Sequence, residues 1–371
     1  MRMRVKRTLA AIGVLIAVAL AALAVAISHD TACGPSPGVG GGGATMKAAV
    51  RRCYGPPDVL AVESVERPTL ADDQMLVKVR AAGLNPLDWH RLRGTPYLMR
   101  IGEGFGAPKD VRLGIDFAGT VQAVGKDVTR FRPGDAIFGG KSGALAEYVV
   151  VRESGSIAKK PANIDFEQAG GVYVAAITAL QALRDRGAVR PGQKVLINGA
   201  SGGVGTFAVQ IAKSLGAEVT AVCSTRNVDL VRALGADHVI DYKNADFTQG
   251  VVRYDVIMDN VANRPILDIR RVLAPEGKYI LIGGGGPDVN PWAGALKAPL
   301  KALILSWFVD QDMGFFVSNA STADVETLAR LMEEGKVTPV VDRKYPLADV
   351  ADALRYLEDG HARGKVVVIP D

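Results

Sequence analysis

Six consecutive residues, Ala200-Ser201-Gly202-Gly203-Val204-Gly205, form an A-x-G-x-x-G stretch of the kind that brings main chain against a pyrophosphate. Gly202 lets backbone approach the phosphates, and Gly205 lets a following helix pack tightly on the preceding strand. A helix running from Thr206 directs its positive end at the anion. The chemistry this supports is dinucleotide binding. At the end of the next β-rich run, where an NAD-binding chain places an Asp or Glu for the ribose hydroxyls, this chain has Ser224-Thr225-Arg226. Hydroxyls and a guanidinium bind a 2′-phosphate that a carboxylate would repel, so the expected cofactor is NADPH. Tyr242 and Lys243, after the third run, are placed to close over the same phosphate. The alternative for Arg226 and Lys243 is a pair of solvated surface cations.

Other chemistries are harder to build from this chain. The three cysteines, Cys33, Cys53 and Cys223, are too few and too scattered for a disulfide scaffold and form no CxxC pair, so a cysteine-rich metal site is excluded. No Ser/His/Asp or Cys/His constellation stands out. His90, beside Arg91 and Arg93, reads as a surface residue despite a side chain that titrates near neutrality. The formal charge of +5 comes mostly from the amino terminus, where Arg2, Arg4, Lys6 and Arg7 face only Asp30. The body after Met46 is near neutral and lacks a basic cluster with interleaved aromatics, so nucleic acid is not an expected partner.

The 371 residues are enough for two cores. Between Lys47 and Pro161 short β-rich runs (MKAAV, QMLVKVRAAG, DFAGTVQAVG, GDAIFGG, LAEYVVV) alternate with Gly, Pro and Asp clusters, which predicts a compact β domain. From Lys194 the rhythm becomes strand, glycine turn, amphipathic helix, strand, which predicts an α/β, doubly wound parallel sheet. Two helices (ADVETLARLMEEG, LADVADALRYLEDG) and a strand (KVVVIP) close the chain. Pro299–Val309 has Leu300, Leu303, Ile304, Trp307 and Phe308 at helical spacing, with Pro299 suited to a first turn. That stripe suits a packed core or dimer helix, a lid over an apolar substrate, or docking at a lipid interface.

Ahead of the body, a basic tail (residues 1–8) precedes nineteen apolar or small residues, Leu9–Ile27, the length that predicts a transmembrane helix. The competing reading is a signal peptide cut after Ala26. The expected location is therefore a single-pass membrane anchor, in the plasma membrane if the source is bacterial, with the side occupied by the body left open by a conflict. Positive-inside logic exports the body, whereas NADPH is a cytosolic reductant. Residues 28–45, which include GPSPGVGGGG, read as a linker.

The order of motifs, VG…F..GD, AEYVVV, GASGGVG, CSTRN, GADHVIDY and GHARGK, resembles the medium-chain dehydrogenase/reductase superfamily, in its zinc-independent quinone oxidoreductase branch. The resemblance covers nearly everything from Met46 to Asp371. It implies a GroES-like domain (46–167 with 318–371) around a Rossmann NADP-binding domain (168–317), as a homodimer. Zinc-dependent members carry a cysteine where this chain has Asn85, and a His-Glu pair where it has Ile115-Asp116.

The resemblance further implies that Asn85 lies beside the nicotinamide and that Thr178 contacts the cofactor. Gly283 and Gly284 would admit its carboxamide, and Lys365 would return to it from the tail. The alternatives are an Asn-Pro turn for Asn85 and a helix back-bond for Thr178. Tyr97 stands at the spacing of a proton donor, with Asp88, His90 and Tyr173 as further candidates. The implied activity is hydride transfer from NADPH to a quinone or an α,β-unsaturated carbonyl of lipophilic character. The alternatives are an NADPH-binding membrane-tethered sensor or scaffold and a carbonyl-reducing alcohol dehydrogenase.

Overall fold

The computed structural model describes residues 2–35, 43–284, 286–287, 289–292 and 294–370, with the side chains of residues 2–11, 295 and 296 excepted. Most of the expected linker, residues 36–42, lies outside the described residues.

The run KVLIN becomes the strand Lys194–Asn198 because Val195, Leu196 and Ile197 can all be buried, as a strand covered on both faces requires. It lies at the centre of a six-stranded sheet in the order His238–Asp241, Glu218–Cys223, Lys194–Asn198, Tyr254–Asp259, Leu273–Leu281, Asp312–Phe315. Every neighbouring pair is parallel. This is the 3-2-1-4-5-6 Rossmann order, whose switch point falls at the carboxyl end of the central strands.

The second sheet has seven strands, and the last strand of the chain lies inside it. The C-terminal strand Lys365–Ile369 pairs antiparallel with Gln74–Gly83 from the amino-terminal half. Gln74–Gly83 turns Met75, Val77 and Val79 inward in strict alternation before both faces become covered. Its neighbour Asp116–Val124 begins at a buried carboxylate. The helix Tyr173–Gln181 joins the sheets, and one core runs from Phe138 through Ala176 to Val195 and Phe207. The fold is thus a Rossmann unit packed on a GroES-like β unit.

Three features differ from expectation. The apolar amino-terminal run does form a helix, Arg2–Ser28, but among the described residues no helix is long and apolar enough to cross a membrane. The transmembrane anchor, and the single-pass location built on it, are corrected accordingly. A span needs about 20 apolar residues free to face lipid, whereas the last turn of this helix belongs to the body. Ile27 is 2% exposed, and its carbonyl accepts from Arg100.

Second, Cys33 and Cys53 form a disulfide, a single cross-link rather than a scaffold, with their Cα atoms 4.7 Å apart. The bonds between Thr31 and Gly106 lay the preceding residues along the body. Third, the stretch around Pro299 winds as Gly294–Ser306, starting five residues earlier than expected, because the Gly294 amide bonds to Asn290 O and starts the helix there. Pro299 therefore sits inside it, and Trp307 and Phe308 lie beyond its end, 75% and 78% exposed.

Candidate active site

The glycine turn follows the central strand and opens the helix Gly203–Ser214, with Gly202 as its N-cap in an extended conformation. The first amides of such a helix have no intrahelical acceptor, so they face the switch point as donors. Gly205 has no room for a side chain: a Cβ there would stand 2.1 Å from Gly199 O. At Gly202 a Cβ would meet only Gly199 O, at 3.5 Å, so its α-face is open for an approaching ligand. Gly203 and Val204 complete the turn, half-buried.

Ser201 accepts a hydrogen bond from Asn227 Nδ2 at 2.8 Å, and the same amide reaches Ser224 Oγ at 3.2 Å. Asn227 therefore ties the phosphate turn to the end of the second strand, and its buried Oδ1 has no partner among the described residues. This residue went unrecognised from sequence, although it closes the CSTRN stretch. Thr225 and Arg226 are exposed. Thr225 donates to Asp241, whose carboxyl is held below its ordinary value first by that bond. Asp241 is not evident from the CSTRN stretch, because it arrives from the third strand, His238–Asp241. Arg226 donates to His361 O at 2.8 Å in the tail. Tyr242 is 38% exposed, with the Lys243 ammonium 5.4 Å from its ring centre.

Lys365 is where the expected geometry changes. Gly202 forms a β-bridge with Gly364, so the tail does reach the glycine turn. The Lys365 stem passes over Gly171 and Gly203, whose hypothetical Cβ atoms would lie 3.0 and 3.3 Å from it. Its ammonium, however, is turned away from the turn. It donates to Leu84 O at 2.8 Å and to Asn85 Oδ1, and lies 3.5 Å from Asp116 Oδ2. All three residues are buried, with Lys365 and Asn85 2% exposed and Asp116 0%. Asn85 caps the helix Pro86–Arg93 with Pro86 at the first position, and its backbone amide donates to Asp88 Oδ2 at 2.8 Å. Burial pushes the Asp88 carboxyl up to about 7 and raises that of Asp116. Asp88 Oδ1 has no partner among the described residues.

Thr178 back-bonds to Val174 O at 2.7 Å inside its helix and meets Ser318 Oγ at 3.1 Å, a partner not anticipated. Val174 N in turn donates to Asp116 Oδ1, so this helix starts at the buried cluster. Gly284 packs on the loop after Tyr254–Asp259, where a Cβ would be 2.7 Å from Ala262, and Gly283 lies near Asn260 O. The buried Asp259 shapes that loop by accepting from the amides of Val261 and Ala262.

Tyr97 shares no hydrogen bond with the lysine cluster among the described residues. Its amide donates to Pro291 O at 2.9 Å, and its ring meets the edge of Trp292, with centres 5.1 Å apart. His90 is half-buried rather than a solvated surface residue. It stacks on Trp89, bonds through Nδ1 to Thr95 O at 2.7 Å, and burial lowers its basicity, which keeps it neutral near pH 7. Tyr173 lies against Gly140, where a Cβ would be 2.0 Å from its ring.

Residues 71–162 match the alcohol dehydrogenase GroES-like domain, and residues 234–368 match a zinc-binding dehydrogenase domain. The NADPH-dependent alkenal/one oxidoreductase of Arabidopsis thaliana chloroplasts is 36% identical over 345 residues, covering 88% of this chain and 80% of that protein. The chain belongs to the medium-chain dehydrogenase/reductase superfamily. A chloroplast envelope quinone oxidoreductase homologue from the same plant is 33% identical, covering 82% of this chain and 92% of the relative. The solved quinone oxidoreductase of Coxiella burnetii superposes with a TM-score of 0.75 at 28% identity, over 88% of this chain and 99% of that one. Within the superfamily this chain is an oxidoreductase of the quinone and alkenal branch that uses a nicotinamide cofactor.

Two groups implied by this family fit differently. The open face at Gly202, the free helix amides and the unpartnered Asn227 Oδ1 suit a dinucleotide. Zinc does not fit where zinc-dependent members hold it. Asn85 and Asp116 offer an amide oxygen and one carboxylate, with no thiolate or imidazole, and both already face the Lys365 ammonium.

Proposed function

We propose that this protein is an NADPH-dependent reductase of α,β-unsaturated carbonyls and quinones that works without a metal. The observation that carries the reading is Lys365. Its buried ammonium, between Asn85 and Asp116, supplies fixed positive charge at the position where zinc-dependent members hold the metal. Bound NADPH supplies the hydride.

The residues of the chain do the rest. Ser201 to Gly205 hold the pyrophosphate, while Ser224, Thr225, Arg226 and Tyr242 hold the adenosine 2′-phosphate. Gly283 and Gly284 admit the carboxamide, and Thr178 with Ser318 lines the cofactor side of the joining helix. Lys365 fixes Asn85 Oδ1 and one amide hydrogen reaches Gly83 O at 3.5 Å, which leaves the other Asn85 amide hydrogen as a donor beside the nicotinamide. Trp89, Pro96, Val289 and Pro291 line a narrow cleft beside Tyr97. As the β-carbon gains a hydride, the double-bond electrons move to the carbonyl oxygen. The Tyr97 hydroxyl provides the balancing proton and recovers its own from solvent.

The reading includes a homodimer, for which Leu300, Leu303, Trp307 and Phe308 provide an exposed apolar face. Light scattering tests that part.

The function is tested by following NADPH oxidation by the full chain with enals, enones, quinones and saturated aldehydes, identifying products and repeating with NADH. Saturated carbonyls or hydroquinones, formed faster with NADPH, are expected. Tight NADPH binding without turnover would replace the enzyme with a sensor, and allylic alcohols as products would replace it with a carbonyl reductase.

A further inference from the structure

Tyr97 opens the short turn Tyr97–Met99, which has too few internal bonds to fix a side chain by itself. The residue that holds it is Arg100. The Arg100 side chain is 1% exposed, and its guanidinium lies 4.6 Å from the Tyr97 ring centre and 4.2 Å from that of Tyr54. Each of its three nitrogens has an acceptor: Nε donates to Gly94 O at 2.7 Å, Nη2 to Arg93 O at 3.3 Å, and Nη1 to Ile27 O at 3.0 Å and His29 O at 3.3 Å. Nη1 also pairs with Asp30 at 2.8 Å.

Three of the five residues that bond this buried cation, Ile27, His29 and Asp30, therefore come from the last turn of the amino-terminal helix and the residues just after it. The same segment is fastened twice more. Thr31 donates through both its amide and its hydroxyl to Gly106 O, and Cys33 is disulfide-bonded to Cys53, next to Tyr54. Both stretches matched to the family domains, 71–162 and 234–368, exclude residues 27–33.

We infer that residues 27–33 are a positioning strap for the active site: they fix Arg100, and Arg100 fixes the ring of Tyr97. The inference rests on the reading of Tyr97 as the proton donor. A buried guanidinium deprived of its acceptors must find others or admit water. Either response shifts the aromatic ring stacked on it. Displacing a reacting group by about 1 Å costs on the order of a hundredfold in rate, so a strap remote from the cofactor can control turnover.

A double-mutant cycle on the full chain tests this. Asp30→Asn with Cys33→Ser loosens the strap at two exposed side chains and leaves Arg100 and the core intact. Tyr97→Phe removes the proton donor. The strap variant is expected to lower kcat about tenfold, with KM for NADPH close to the parent. In the Tyr97→Phe background the same strap change should have no further effect. A strap variant with parental kcat would overturn the inference, as would an equal loss in both backgrounds. A Tyr97→Phe protein with parental turnover would instead remove Tyr97 as the donor, and the strap's proposed role with it.

Discussion

Lys365 and Asn85 illustrate what single residues in this site do and how far linear sequence reveals it. The glycine turn was legible because its requirement is local: Gly205 must lack a side chain wherever the chain folds in this way. The orientation of Lys365 was not, since the three oxygens that hold its ammonium come from residues 84, 85 and 116. A cation that positions Asn85 rather than phosphate has a distinct kinetic signature. Replacing Lys365 by Met together with Asp116→Asn, so that no buried carboxylate is left uncompensated, should lower kcat about a hundredfold. The Kd for NADPH, measured by fluorescence titration, should hardly move. A loss confined to NADPH affinity would return Lys365 to the phosphates.

Asp88 makes a second prediction at this scale. Burial raises its carboxyl to about 7, so the folded chain binds a proton that the unfolded chain releases near pH 4. Its contribution to stability is therefore complete below that range and is lost as pH rises toward and through 7. Urea unfolding between pH 5 and 8 should show Asp88→Asn with a flatter decline than the parent, and more stable than it at pH 8. A parallel decline in both proteins would contradict the assignment.

Among the elements, those with a clear period were read from sequence, because burying alternate or i, i+3, i+4 positions is a local demand. The strand Gln74–Gly83 and the helices Thr322–Glu333 and Val350–Glu358 are of this kind. The amino-terminal helix misled for a physical reason. Nineteen apolar residues satisfy the length rule for a span, yet the fate of the helix end is set by Arg100, more than seventy residues away. The turn from the central strand to the helix Gly203–Ser214 carries the sharpest test of an element. Gly205→Ala places a methyl 2.1 Å from Gly199 O, so helix and strand must separate. That should cost about 1–3 kcal/mol of stability, seen as a lowered Tm, and should weaken NADPH binding. An unchanged Tm would show that the turn has slack the geometry denies.

On the scale of the whole molecule, function depends on chain ends meeting the middle. The tail strand joins the amino-terminal sheet, Gly364 bridges to Gly202, Arg226 reaches His361, and the strap reaches Arg100. Composition and motif order pointed to two units and a dinucleotide, but they carry no record of such long-range closures. These closures set the Lys365 ammonium against Asn85 Oδ1 and Asp116 Oδ2, and hydride transfer to an enone without a metal is the central claim. It is tested most directly by reducing an enone with NADPH deuterated at the transferring position, using full chain dialysed against chelator. Undiminished turnover and a saturated ketone with deuterium on its β-carbon are expected. Deuterium on the carbinol carbon of an allylic alcohol, or activity lost to chelator and restored by zinc, would contradict that claim.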